Sequence, residues 1–250
     1  SGRIVLKYSC SRQRTVRKHA ARPRFGLFFA GISNARKIGR EVLGFFVLRS
    51  IILNKKLIIV ASPPACGKTR LSKKIATEFY GCVYLDKDSL IPLSKRIFTV
   101  AKKPYNRSSE FFKREIRDYE YESILNIATE ALKYNDTVIL NAPFSTELRD
   151  GEYMEKLKSR LSRVGARLIV VWINSDEKTC HANMKRRNSD RDKWKLEHWK
   201  EYIKNVDFTP PENVTGQLLV YDGRRDNFGN IDEFKRLTEA LKTKERNFSD

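Results

Sequence analysis

The sequence predicts an α/β protein: a three-layer α/β/α fold with a parallel sheet covered by helices on both faces. Three observations carry that prediction. From Lys55 onward, short aliphatic runs alternate with longer amphipathic segments. Strands that alternate with helices run parallel and bury both sheet faces. The first aliphatic run leads at once into a turn that opens a helix, and the 40% hydrophobic content is ample for a core.

The elements follow in order. Residues 57–60 form a continuous aliphatic run between charged residues and a Pro-Pro turn, the pattern of a strand buried on both faces. A helix is predicted over 70–79 and a short strand over 82–85. Residues 108–133 read as one long helix, with Ile116, Tyr119, Ile124, Ile127 and Leu132 at roughly helical spacing. A third strand is predicted over 137–140, a helix over 152–163 and a fourth strand over 168–173. Ser175 and Asp176 supply the capping region of a helix over 176–187. Another helix is predicted over 196–204, a last strand over 217–221 and a last helix over 231–243. No internal repeat or low-complexity tract interrupts the series.

Charge divides the chain unevenly. The net charge is +20, and residues 1–54 hold twelve Lys and Arg against one acid, Glu41. That basic N-terminal segment is set apart from a domain spanning 55–250. Three readings of it stay open: an appendage, an Arg-rich targeting segment, or an arm for nucleic acid or another anionic surface. No apolar run reaches the ~18 residues of a membrane span. The four cysteines, Cys10, Cys66, Cys82 and Cys180, form no CxxC pair, which argues against a zinc ribbon or disulfide framework. A reducing, cytoplasmic setting is expected.

The strongest chemical signal is Ser62-Pro63-Pro64-Ala65-Cys66-Gly67-Lys68-Thr69. Between a strand and a helix, this is the context of a phosphate-binding P-loop, or Walker A loop. Backbone amides from Pro64 to Arg70 are expected to surround the phosphates at the positive end of the helix. Gly67 lets the backbone come close, Lys68 reaches the β- and γ-phosphates, and Thr69 offers its hydroxyl to Mg²⁺. Ser62 stands where the first glycine usually stands.

The second signal is Tyr84-Leu85-Asp86-Lys87-Asp88, at the carboxyl edge of the sheet where the loop also lies. Two residues apart on an extended chain, Asp86 and Asp88 are expected on one side. One can hold Mg²⁺ through water while the other accepts a substrate proton. The third signal is the basic stretch 184–193. Phosphoryl transfer develops negative charge, so mobile arginines closing over it suit a lid; Arg187 and Arg191 are the candidates, with Arg186 behind them. Asn141, Ala142, Pro143 and Phe144 can line an acceptor pocket with Arg149 nearby. His19, His181 and His198 have no partner at metal spacing and read as surface or packing residues. Trp194 and Trp199 read as anchors of the lid helices.

On these motifs, residues ~55–245 resemble the P-loop kinases of the AAA-family ATP-binding group, which includes chains similar to zeta toxin, chloramphenicol phosphotransferase and polynucleotide kinase. The resemblance implies a P-loop NTPase fold with a helical lid. Residues 84–88 are also similar to the aromatic-x-Asp-x-Asp element of shikimate kinase, which implies Asp86 at Mg²⁺ and Asp88 as base or substrate anchor. Relatives often carry Asp where this chain has Asn141. The expected function is transfer of the γ-phosphoryl group of ATP to a small-molecule hydroxyl, with Lys68, Asp88, Arg187 and Arg191 catalytic and Thr69 and Asp86 serving Mg²⁺. Two alternatives stand beside it: a 5′-hydroxyl polynucleotide kinase, and a non-catalytic ATP-binding switch, which has no need of the Asp86/Asp88 pair.

Overall fold

The computed structural model describes residues 55–224 and 230–243; the basic segment 1–54 lies outside the described residues. Five strands, β1 (Lys55–Ala61), β2 (Val83–Asp86), β3 (Thr137–Asn141), β4 (Ala166–Asn174) and β5 (Gln217–Asp222), form one sheet. Every pairing is parallel and the order is β2-β3-β1-β4-β5. The described helices are α1 (Lys68–Glu78), α2 (Ile91–Val100), α3 (110–134), α4 (Gly151–Ser162), α5 (Glu177–Arg187), α6 (Lys193–Glu197), α7 (Trp199–Lys204) and α8 (Ile231–Lys242).

The layers follow from the pleat of β1. Successive side chains point to opposite faces, and Leu57 through Ala61 are all fully buried. Leu57, Ile59 and Ala61 pack on α3 and α4 through Ile124, Leu125, Leu132, Leu157 and Leu161. Ile58 and Val60 pack on α1, α5 and α8 through Leu71, Ile75, Met184, Phe234 and Leu241. The result is the three-layer α/β/α P-loop NTPase fold. Among the described residues, no helix is long and apolar enough to cross a membrane.

Local signals account for most helix starts. Asp176 caps α5 by accepting the Thr179 N–H at 2.8 Å, as expected from the sequence. Asp150 caps α4 in the same way through Glu152 and Tyr153. Three features depart from expectation. Residues 196–204 do not form one helix: α6 and α7 meet at His198. The long helix α3 begins as Glu110–Phe112, passes through a π turn at Lys113–Arg117 and continues as Asp118–Tyr134. Helix α2 has no counterpart in the prediction. Its Leu93, Ile97 and Val100 are exposed, while Ser94 and Phe98 point inward, so its apolar residues do not mark its buried face. Pro92 sits in its first turn, where a missing N–H costs nothing.

What fastens α2 and the following loop to α3 is one buried carboxylate. Glu120 accepts from Arg107 through two bonds of 2.7 Å, from Lys87 and from the Ser94 hydroxyl. Phe98, Phe112 and Ile116 close an apolar cluster beside it. Burial alone would raise the Glu120 pKa, but Arg107 and Lys87 outweigh it and hold the carboxyl below its usual range. Removing one partner of such a network strands the others without water. Glu120→Ala is therefore expected to lower stability by about 3–5 kcal/mol in urea unfolding. Glu155→Ala, in the exposed Lys158 pair, should stay within about 0.5 kcal/mol.

Candidate functional site

The sheet register sets the site. Val60 on β1, Asn141 on β3 and Asp86 on β2 stand level at the carboxyl edge. From β1 the chain turns through Ser62 to Thr69 and enters α1. Ala65 (φ 63°) and Gly67 (φ 92°) both take left-handed backbone, which lets successive amides face one concavity. Ser62 is fully buried, and its hydroxyl donates to Pro63 O at 2.9 Å. Helix α5 backs the loop: Cys180 donates to Pro64 O at 3.1 Å and Asn183 to Ala65 O at 2.8 Å. The Cys66 thiol, bonded to Cys180 and near Lys68, is held below its usual range.

Lys68 Nζ donates to Pro63 O at 2.7 Å and Ser62 O at 3.0 Å, so its ammonium lies inside the loop. Burial lowers its pKa to about 8. Next to it, the Asn141 amide donates to Thr69 Oγ1 at 2.9 Å and to Asp86 Oδ2 at 2.8 Å. Tyr84 OH also donates to Asp86, at 3.2 Å. Asn141 Oδ1 is buried with no partner among the described residues. A hydroxyl, a carboxylate and an unsatisfied amide oxygen thus meet at one place. Such oxygen donors fit Mg²⁺, which takes one or two carboxylates and completes its shell with water and phosphate.

Asp88 is not on an extended chain, as the sequence reading had it. The strand ends at Asp86, whose Oδ1 accepts the Asp88 N–H at 2.9 Å and caps a 3₁₀ turn, Lys87–Leu90. The Asp88 carboxylate instead meets Arg191, which donates to it from the lid. Burial raises the Asp88 pKa, but Arg191 outweighs that and leaves it lowered. Arg187 Nε donates to Asp192 at 2.8 Å, and Asp192 is fully buried. Lys195 lies 3.9 Å from the same carboxylate, and its burial lowers its pKa to about 8. Arg186 turns to Asn183, at 2.8 Å. Asn188 ends α5 in left-handed backbone and redirects the chain into this lid.

One cavity of about 830 Å³ holds most of these groups: Lys68, Thr69, Asp86, Asp88, Arg187 and Arg191 all line it. Ala142 and Pro143 line it as expected. Phe144 does not; it is fully buried at φ 47° and packs edge-on against Tyr121, 4.9 Å between centroids. Arg149 is drawn away to Thr209 O at 2.6 Å and Asp207 at 3.2 Å. The walls missed by sequence reasoning are Arg107, Arg117, Tyr121 and Lys195. Trp199 does anchor the lid, donating to Glu177 at 3.0 Å and lying 4.2 Å from the His181 ring.

A parallel sheet of this order, with a Gly-Lys-Thr loop between β1 and α1 and arginines over its mouth, defines a P-loop nucleotide-binding protein of the kinase type. The chain belongs to the AAA domain family, whose model matches residues 57–209. The structure is similar to a putative kinase from Chloroflexus aurantiacus j-10-fl, at 20% identity and TM-score 0.55, over 77% of this chain and 100% of that one. A gluconokinase from Sinorhizobium meliloti 1021 matches at 16% identity and TM-score 0.47, over 76% and 96%. A shikimate kinase from Bacteroides thetaiotaomicron matches at 17% and 0.43, over 76% and 99%. No curated protein matches the chain in sequence.

The Asn141 amide generates a test. Asn141→Asp puts a second carboxyl where a donor now holds Asp86. Two carboxylates so close raise the pair's folded-state pKa above its unfolded value. The variant's penalty is then full at neutral pH, about 3 kcal/mol for a rise of ~2 pKa units, and fades as pH falls into the carboxylate range. Urea unfolding at neutral and mildly acidic pH reads the difference, and added Mg²⁺ is expected to offset it at neutral pH.

Proposed function

We propose that this protein is an ATP-dependent kinase that transfers the γ-phosphoryl group to a hydroxyl of a small organic acceptor. The observation that carries the reading is Asp88: a carboxylate in the same cavity as the P-loop, held by an arginine of the lid. A protein that only binds nucleotide has no use for it. Lys68 exchanges the loop carbonyls for phosphate oxygens, keeping its charge-assisted bonds. Thr69 and Asp86 hold Mg²⁺, which when bound neutralises charge on the phosphates. Asp88 orients the acceptor hydroxyl and takes its proton. Its lowered pKa keeps it ionised, and departure of Arg191 toward the phosphates restores its basicity. Arg187, fixed from behind by Asp192, faces the charge that develops on the transferred group. The chemistry is assigned to residues 55–250; a chain starting at Asn54 is expected to bind ATP as the full chain does.

Three variants test this together. Lys68→Ala is expected to weaken MgATP binding by about 10- to 100-fold, the loss of one or two charge-assisted bonds. Asp88→Asn should leave ATP affinity nearly unchanged and lower phosphotransfer by about 10²–10⁴-fold. Asp86→Asn should raise the Mg²⁺ requirement as well as lower the rate. Calorimetry with an ATP analogue, and labelled ATP against a panel of hydroxyl acceptors, separate the three. Full turnover in Asp88→Asn would remove Asp88 as the base, and the kinase reading with it.

A further inference from the structure

A second cavity, of about 760 Å³, opens between α2 and the lid. Two residues, Arg107 and Arg191, line both cavities. They form the partition between them, and the Asp88 carboxylate is bonded to that partition. Anything that reaches Asp88 from the far side of the phosphate loop passes these two guanidinium groups.

The chemistry of the second cavity is cationic and aromatic. Lys95 and Lys103 are exposed on its rim, with Lys95 set 5.2 Å from the Tyr105 ring centroid. Trp194 forms part of the opposite wall, stacked on His198 at 4.7 Å. Two acids also line it, but Asp190 is bound to Lys193 at 2.8 Å. The partition carries an unmet demand: Arg191 Nε is a buried donor with no partner among the described residues. Buried donors are normally satisfied, and leaving one open is costly. An acceptor oxygen placed at the partition would satisfy it.

We propose that the second cavity binds a phosphate or carboxylate group of the same acceptor whose hydroxyl meets Asp88, so that the acceptor is an elongated organic anion. This rests on the kinase reading above. The anion is held by Lys95, Lys103 and the guanidinium partition, and its organic body lies along Tyr105 and Trp194. Cations that neutralise an anion also steer it to the mouth, so binding weakens with salt.

The test uses the full chain saturated with a non-hydrolysable ATP analogue and Mg²⁺, which closes the P-loop to other anions. The chain has three tryptophans. Trp172 is buried in the core and Trp199 is bonded to Glu177, so the Trp194 indole N–H is a separate reporter, assigned with Trp194→Phe. Inorganic phosphate and citrate are titrated separately and followed by the indole resonances. The expected result is a saturable, salt-sensitive shift of the Trp194 resonance, with affinity lowered about 10-fold in Lys95→Ala/Lys103→Ala while analogue affinity is unchanged. The tighter of the two probes identifies the anion. No saturable shift, or equal affinity in the double variant, overturns the proposal and leaves the kinase reading intact. Anion binding in a protein that phosphorylates no hydroxyl acceptor overturns the kinase reading, and with it the claim that the anion belongs to an acceptor.

Discussion

A single side-chain amide, that of Asn141, connects the phosphate loop to the acid at the end of β2. Its N–H₂ reaches Thr69 at the start of α1 and Asp86 at the end of the neighbouring strand. The sheet order makes this possible. With β3 between β1 and β2, the residue at the carboxyl end of β3 is in register with Val60 on one side and Asp86 on the other. Two groups 17 positions apart in sequence are thereby held within one amide's span. Had β2 paired directly with β1, no strand residue would stand between them.

The remainder of the site is built from buried charges, each held by a carboxylate on a different element. Glu120 on α3 holds Lys87 and Arg107, Asp192 in the lid holds Arg187 and Lys195, and Asp88 holds Arg191. Removing charge from water is costly unless the partner is close and well oriented. That cost is the reason these side chains have fixed positions before any ligand arrives, which is what electrostatic preorganisation requires. The three networks differ in one respect. Glu120 and Asp192 are fully enclosed, whereas the Asp88–Arg191 pair spans the turn after β2 and the lid and is partly open to solvent. It is the pair that can open without stranding a charge in the core, and so the one suited to respond to a substrate.

The phosphate end of this site was legible in the sequence because its signal is local. Eight consecutive residues carry the loop, and the strand before it and the helix after it are set by simple periodicity. Asp86 and Asp88 were legible as a pair but not as a geometry. Their spacing suggested one extended face, while Asp86 capping the Asp88 N–H makes a 3₁₀ turn instead. Arg149 illustrates the opposite failure. Nearness in sequence to Asn141 suggested a pocket role, but the Thr209 carbonyl and Asp207, both far along the chain, take its guanidinium. Helix α2 was hidden by its exposed Leu93, Ile97 and Val100, which put the apolar pattern on the wrong face.

The acceptor end was illegible for a further reason that lies in α3. A regular helix repeats its facing residue every 3.6 positions. The π turn at Lys113–Arg117 adds a residue to one turn and so rotates everything beyond it by about 100° relative to what precedes it. Phe112 before the turn and Arg117 and Tyr121 after it all line the cavity, although no single helical stripe through 110–134 contains the three. Reading the segment as one uninterrupted helix placed Tyr119 and Ile127 on the buried face, and both are exposed. The same rotation buries Glu120, without which Arg107 and Lys87 would have no counter-charge. The cationic wall of the acceptor pocket therefore depends on a break in the periodicity by which helices are recognised, and pattern reading was blind to it for that reason.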